Sequence, residues 1–472
     1  MSLEPRDGGA DAAAIRAAAI AAVQPLTLVA GRLSVRAGEL LLDGRSLVPP
    51  LPLGDTGRIV VVGGGKAAAG MAAAVERLLL TAGVAPARLT GLVSVPEGCG
   101  IALERIEVRE TRPAGRNMPT PAAEAATREM LAVVAGLSPA DLAIVIVTGG
   151  GSALVAAPRA GVPLAEKVAA ATFLAAAGAD IRGLNTVRQA ASDVKAGGLA
   201  RACGAGRLLA LVLSDVIGDP LDMIASGPCM PVTPRPVAAL AVLERFGTIA
   251  AGVAPRLVAR LEADAAVADA APASAGTGSS WTTPRGCHVD HLLLGSNATA
   301  VEAAAAAARA RGYDVVVRHA DAGALETADE VGRRLAAEGL MLAERASRAG
   351  CALAVIEGGE AVVTLPADHG RGGRNQQTAV VALAAVRASG HAWPAGLCIA
   401  SVGTDGEDGP TSAAGGLVDA GVAAAVEQAG LDVNRAAARC DAYPLLEAAG
   451  GLIVTGPTGT NVADVRLVLA RP

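Results

Sequence analysis

The chain has 472 residues, a length that suggests two or three domains at roughly 150 residues each. Its composition, 52% hydrophobic and 18% charged with 58 Gly and 27 Pro, excludes a disordered, collagenous or coiled-coil protein. With only two Trp, two Tyr and two Phe and a net charge of -5, it has neither the stacking aromatics nor the basic face of a nucleic-acid binder, so no such partner is expected.

The first residues, with Glu4, Arg6 and Asp7, lack the basic-then-apolar order of a secretory leader, and no stretch of about 18 uncharged apolar residues reads as a membrane span. A soluble, cytoplasmic protein without a membrane partner is the expectation, and the sequence leaves a homo-oligomer open. Seven scattered cysteines without a C-x-x-C read as reduced, buried thiols.

Along the chain, short β-branched runs, glycine turns and Ala-rich helical stretches alternate, the pattern of an α/β fold with parallel strands. Strands are predicted over 58–62, 142–147 and 208–213. Each runs into a loop at its carboxyl end, where open α/β sheets bind ligands. Over 252–286 the composition drifts to small Ser, Thr, Gly and Pro residues. This divides the chain into an N-terminal α/β domain at 1–270, a mobile connection at 271–285 and a C-terminal α/β domain at 286–472. In the second domain strands are predicted over 291–294, 314–318, 353–356, 361–365, 397–402, 452–454 and 465–469. Helices are predicted over 298–311, 327–348 and 375–388, the Ala-rich windows among them reading as packed helices rather than linkers.

Four groups of residues could carry chemistry. In RIVVVGGGKAAAG a strand enters Gly63, Gly64, Gly65 and Lys66 ahead of a helix, an arrangement in which amides, a helix N-terminus and a lysine suit an anion. It is not a Walker loop, since Val60 and Ala67 break that pattern, and it matches G-x-G-x-x-A only loosely. In VTGGGSALVAAP a second such turn holds Gly149, Gly150, Gly151 and Ser152, and it lacks the final glycine of a serine-hydrolase elbow. LSDVIGDPLDM places Asp215 and Asp219 on one loop, suited to a hard cation or a substrate hydroxyl. The fourth group comprises Glu360, then Arg371, Gly372, Gly373, Arg374 and Asn375 of GRGGRNQQ. It continues with Thr404, Asp405 and Asp408 of VGTDGEDG and ends in Thr455, Thr458, Thr460 and Asn461 of TGPTGTN. Asp405 and Asp408 make an acidic pair of the kind Mg²⁺ uses, and the two arginines could reach an anion. Cys287, His288 and His291 have passable zinc spacing but no evident fourth ligand.

Taken in order, these motifs resemble the glycerate 2-kinase family, whose C-terminal half is called the MOFRL domain and some of whose members carry the older label hydroxypyruvate reductase. The stretches VVGGGKAAAGMA, VTGGGSALVAAP, LSDVIGDPLDMIASGP, GRGGRNQQTA with VGTDGEDGPTSAAG, and TGPTGTNVADVRLVL carry the resemblance, which covers about residues 12–469. It implies two α/β domains, one Rossmann-like with a largely parallel sheet, and an active site in the cleft between them. It also implies transfer of the ATP γ-phosphoryl group to the 2-hydroxyl of D-glycerate with Mg²⁺, so that ATP and D-glycerate are the partners. Lys66 and Arg374 would be the catalytic cations and Asp215 the important carboxylate. Gly63, Gly64, Gly65, Gly149, Gly150, Gly151, Ser152, Gly372, Gly373, Asn375 and Thr404 would line the nucleotide and anion sites, and Asp219, Asp405 and Asp408 would serve the metal.

The chain departs from the family at two places. The family's A-G-H-P-x-P-D stands here as Ala114, Gly115, Arg116, Asn117, Met118, Pro119 and Thr120. Its R-K-H-L-S stands as Arg188, Gln189, Ala190, Ala191 and Ser192, with Lys195 following. The alternatives are therefore a kinase for another small 2-hydroxy acid and a nicotinamide-dependent hydroxypyruvate reductase. Against the reductase, the acid that such a fingerprint places about 20 residues beyond the turn has only the more distant Glu97 to fill it.

Overall fold

The structure is a computed structural model describing residues 8–472 apart from 55, 116, 269–279 and 324. By its internal contacts the chain forms two compact units. One comprises Leu28–Ser214 and Asp219–Leu294; the other comprises 8–27, Asp215–Gly218 and Gly295–Pro472. This differs from a cut into 1–270 and 286–472, because the first helix folds with the C-terminal part of the chain and residues 215–218 do likewise. Departure position Arg116, and 271–279 of the expected connection, lie outside the described residues.

In the first unit a small antiparallel sheet of β1 (Leu33–Arg36), β2 (Glu39–Leu42) and β3 (Arg45–Ser46) is closed by two-residue turns. Ala37 and Gly38, then Asp43 and Gly44, all have positive φ, which matches the right-handed twist of the strands they join. The main sheet has seven strands: β4 (Ile59–Gly64), β5 (Leu89–Pro96), β6 (Ile106–Arg112), β7 (Leu142–Val147), β8 (Arg207–Leu213), β9 (Ser280–Thr282) and β10 (His288–Gly295). Their order is β6-β5-β4-β7-β8-β10-β9. Every residue of β4, β7 and β8 is buried, as unbroken apolar runs in a sheet covered on both faces should be. Strands β4 to β8 pair in parallel, and these five stand in the 3-2-1-4-5 order of a doubly wound dinucleotide fold. The strand order reverses between β4 and β7, so both glycine turns leave the sheet at that point. Residues 280–285 are not a mobile connection: Trp281 of β9 pairs with Val289 of β10, making a hairpin.

The second unit holds a six-stranded sheet of β11 (Tyr313–Arg318), β12 (Ala352–Gly359), β13 (Leu397–Gly403), β14 (Gly415–Val418), β15 (Leu452–Ile453) and β16 (Asp464–Ala470), in the order β11-β12-β16-β13-β14-β15. Only β11 and β12 are parallel; the last strand, β16, runs antiparallel between β12 and β13. The stretch 361–365 is not a strand and contributes one bridge, from Val362 to Thr327. The Ala-rich segments are packed helices. Ala328–Ala349 begins in a capping box of Thr327 and Glu330, ends at Gly350 in the left-handed conformation, and shares a core of Val331, Leu335, Val386, Ile399 and Val468 with its neighbours. The helix Gly8–Ala22 joins this unit through buried Asp11, whose Oδ2 accepts from Tyr313 Oη (2.9 Å) and Arg471 Nη2 (2.6 Å).

Candidate active site

Gly64 of β4 lies opposite Val147 of β7, so the turns that follow the two strands are neighbours. Gly63 and Gly65 have φ of 138° and 146°, and a Cβ on them would fall 2.0 Å from Ile146 O and 1.9 Å from Thr148 Oγ1. Only glycine fits there. The amides are already committed: Gly65 donates to Ser94 O (3.1 Å), Lys66 to Gly149 O (2.7 Å) and Ala67 to Thr148 Oγ1 (3.3 Å). Gly63 and Gly64 sit within the strand ladder. The first turn thus does not present the amide cradle expected of it; its glycines let two turns approach, and their N–H groups are spent on protein.

What gathers at the second turn is side chains. Gly150, at φ 77°, precedes the short helix Gly151–Leu154, and a Cβ on it would stand 3.5 Å from Lys66 Cγ and 3.9 Å from Arg112 Nη2. Lys66 from the first turn and Arg112 from the end of β6 therefore flank residues 149–152. Arg112 is 5% exposed, and its Nη1 donates to Asn117 Oδ1 at 2.7 Å. Below the turn Lys195, 1% exposed, donates to Ser152 O and Ser152 Oγ (both 3.0 Å) and to Ala225 O (3.1 Å). Burial, with Lys167 and Arg188 facing it, pulls the Lys195 amine well below the ordinary lysine range. Gln189, where the family has lysine, donates to Asp222 O (3.1 Å), and Ala190 and Ala191 are core residues. Arg112 and Ser226 were not singled out from sequence. The signal for Arg112 was its place at a strand's carboxyl end, just before Pro113 and Gly115.

In the second unit Arg374 opens the helix Arg374–Ala388 and is gripped by carboxylates. Its Nε and Nη2 fork onto Asp464 (2.7 and 2.9 Å), and its Nη1 donates to Glu360 (3.0 Å). Burial works against the guanidinium charge, but Asp464 and Glu360 outweigh it and raise the pKa. Asp464 is fully buried and also accepts from Asn375 Nδ2 (3.1 Å). Asn375 takes a further bond from Ser401 Oγ (2.5 Å) and is 1% exposed, so it braces Asp464 and Asp408 from inside. Thr404 is likewise internal, donating to Ala463 O (2.7 Å) and accepting from Val462 N (2.8 Å).

The acidic pair does not act as a pair. Asp408 is 2% exposed, and its two carboxylate oxygens accept from Asn375 N (3.0 Å), Asn375 Nδ2 (3.3 Å), Gln376 N (2.9 Å) and Gln376 Nε2 (2.9 Å). It satisfies the first amides of the helix Arg374–Ala388, a service that leaves no lone pair aimed at a cation. Gly373 makes room for it: a Cβ there would lie 2.3 Å from Asp408 Cγ, and one on Gly409 would lie 2.4 Å from Gly372 O. Gly372 and Gly373 therefore serve packing. Asp405 is half-buried, with Oδ1 accepting from Glu407 N (3.0 Å). Asp215 Oδ2 accepts from Asn461 Nδ2 (3.3 Å), on the loop whose Thr458 N donates to Asp405 O (3.1 Å). Asp215 groups with the second unit and Asp219, at φ 53°, with the first. Arg371 stacks 3.8 Å over the Tyr443 ring. Among the described residues no three His, Cys, Asp or Glu side chains cluster as a metal site.

A doubly wound sheet with two abutting glycine turns at its switch point, and cations collected on the second of them, defines a protein of the α/β class built to handle a small anion. The comparisons place it more closely. Residues 11–262 match the family described as domain of unknown function DUF4147, and residues 353–464 match the MOFRL family. A human protein named glycerate kinase is 35% identical over 465 residues, covering 88% of this chain and 84% of its own. A D-glycerate 2-kinase of Thermotoga maritima is 32% identical over 433 residues, covering 90% and 94%. An Agrobacterium vitis protein provisionally named hydroxypyruvate reductase is 35% identical over 428 residues, covering 90% of each. The crystal structure of a Thermotoga maritima glycerate kinase superposes with a TM-score of 0.78 at 31% identity, covering 98% of both chains. The chain belongs to the glycerate kinase family, in which a DUF4147 domain is followed by a MOFRL domain.

Proposed function

We propose that the chain transfers the γ-phosphoryl group of ATP to the 2-hydroxyl of D-glycerate, giving 2-phosphoglycerate and ADP. The observation that carries this reading is the likeness, over most of both chains, to proteins named glycerate kinase and D-glycerate 2-kinase. The residues support it. Phosphoryl transfer asks the protein for positioning and charge neutralisation more than for covalent chemistry. Lys66 neutralises charge on the transferring group. Arg374 does the same with the two N–H groups left after three of its five go to Asp464 and Glu360. Asp215 orients the 2-hydroxyl, its own carboxylate steadied by Asn461. The donor set fits Mg²⁺ brought in on nucleotide phosphates: Asp405, a half-buried hard ligand, would hold it, and the ion would neutralise phosphate charge there.

Against a nicotinamide reductase, Glu97 does follow the second strand of the dinucleotide order, but a pyrophosphate would need the amides at 63–66 that the strand ladder, Ser94 O and Gly149 O already occupy. Phosphorus NMR of the products from Mg-ATP and D-glycerate, with a parallel assay of NADH and hydroxypyruvate, tests the assignment. We expect 2-phosphoglycerate and no NADH oxidation. NADH oxidation without phosphoglycerate would replace the kinase with the reductase, and silence in both would redirect the search to another 2-hydroxy acid.

A further inference from the structure

Behind the second glycine turn lies a hydroxyl pair and a lysine that the phosphoryl-transfer roles above do not use. Ser152 is half-buried at the turn, whereas Lys195 and Ser226 are each 1% exposed. Ser152 Oγ stands 3.0 Å from Lys195 Nζ and 3.0 Å from Ser226 Oγ. Around Lys195 Nζ stand two carbonyls, of Ser152 and Ala225, and the Ser152 hydroxyl; as an ammonium Lys195 gives one N–H to each, and the third fills one lone pair of Ser152 Oγ. Ser226 Oγ has Ser152 Oγ as its hydrogen-bond partner, and a buried hydroxyl hydrogen needs an acceptor, so Ser226 donates and fills the second lone pair. Ser152 then has no acceptor capacity left, and its own hydrogen is directed away from both neighbours.

The backbone is bent to hold this arrangement. Ala225, Ser226 and Gly227 are three successive residues at positive φ (49°, 63° and 62°), a run that costs energy at the two non-glycine positions. It is pinned by Ala196 N to Ser226 O (3.0 Å), Gly197 N to Gly227 O (2.7 Å) and Lys195 Nζ to Ala225 O. Strain of this kind persists where the surroundings over-determine it, and here it presents Ser226 Oγ to Ser152.

Resting on the kinase reading, we propose that the Ser152 hydroxyl is the donor that binds the carboxylate of the 2-hydroxy acid, with Lys195 and Ser226 as positioning residues that lock it as a donor. A hydroxyl whose lone pairs both accept, one of them from a lysine, is polarised toward an acceptor ligand. Lys66 and Arg112 flank the same turn and favour an anion there. The shape of the turn selects the kind of anion. A phosphate cradle uses a run of amides at the N-terminus of a longer helix, whereas here Gly151 donates to Thr148 O and the helix Gly151–Leu154 has four residues. The Ser152 hydroxyl between two cationic side chains suits the two oxygens of a carboxylate.

The test uses the full chain and the variants Ser152→Ala, Ser226→Ala and Lys195→Met, with kcat and KM measured separately for D-glycerate and ATP and thermal midpoints recorded alongside. Wild-type turnover of D-glycerate tests the kinase reading by itself. Given that turnover, Ser152→Ala should raise KM for D-glycerate about tenfold or more and leave KM for ATP within about twofold, as loss of a donor to a charged group predicts. Ser226→Ala, which removes only one oxygen, should shift the same KM in the same direction and so tests the positioning role even where Lys195→Met fails to fold. A rise confined to ATP, equal rises for both substrates, or an unchanged KM for D-glycerate in Ser152→Ala would overturn the carboxylate assignment. A lowered thermal midpoint in Ser226→Ala without the selective KM change would reduce Lys195 and Ser226 to structural residues.

Discussion

Lys66 and Arg374 are the two cations on which the proposed transfer rests, yet their neighbours differ and so does the cost of losing them. Lys66 is half-buried at a turn, and Lys66→Ala should lower kcat by about 10²–10³ with the thermal midpoint nearly unchanged. Arg374→Ala should lower kcat to a similar extent but also strip a fully buried carboxylate, Asp464, of its charged partner. Breaking such a pair costs about 3–5 kcal/mol, so the midpoint should fall by about 10 °C in calorimetry. A normal midpoint for Arg374→Ala would mean that Asp464 finds another partner. At this scale the sequence located Lys66 and Arg374 beside glycines at element boundaries, and that is where the structure places them. It was misleading for Asn375, Thr404 and Asp408. A polar side chain next to a glycine motif looks the same in sequence whether it faces a ligand or braces the loop from within, and only burial separates the two.

Asp408 shows the same ambiguity in an element. The helix Arg374–Ala388 begins after Gly373, which has no side chain to cap it, so its first amides depend on a carboxylate from a loop more than thirty residues away. Burial, and the charge of Asp464 nearby, push the Asp408 carboxyl up to about 6 in spite of those bonds. A folded-state pKa above the unfolded one makes the group's contribution to stability largest below the ordinary carboxylate range, and that contribution is lost as pH rises through about 6. The stability of the wild type relative to Asp408→Asn, which does not titrate, should therefore fall by about 2 kcal/mol between pH 4 and 7.5 in denaturant titrations. A gap independent of pH would show that the carboxyl titrates at its ordinary value. Asp408→Ala, which leaves two helix amides without their acceptor, should destabilise the chain at both pH values.

For the molecule as a whole, the topology makes the N-terminal helix part of the C-terminal unit. Asp11 bonds Tyr313 and Arg471, Val23 O accepts from Thr460 Oγ1 (2.6 Å), and Gln24 Nε2 donates to Thr458 O (3.0 Å). A fragment of residues 295–472 should therefore be protease-sensitive and loosely packed, since Tyr313 and Arg471 lose a buried carboxylate and the core loses Ile15 and Ala19. The same fragment with residues 8–27 attached through a flexible linker should resist proteolysis; equal digestion of the two would refute this. By itself the sequence determined the alternation of buried strands with glycine turns, the α/β class with parallel strands and the residues at strand ends, because these depend on local propensity and on runs of apolar residues. Tertiary structure alone decided which amides remained for a ligand, which acids turned inward, that 280–285 is a hairpin and that the first helix crosses to the last strand. Those outcomes depend on which segments meet in space, and the spacing of residues along a chain does not carry that information.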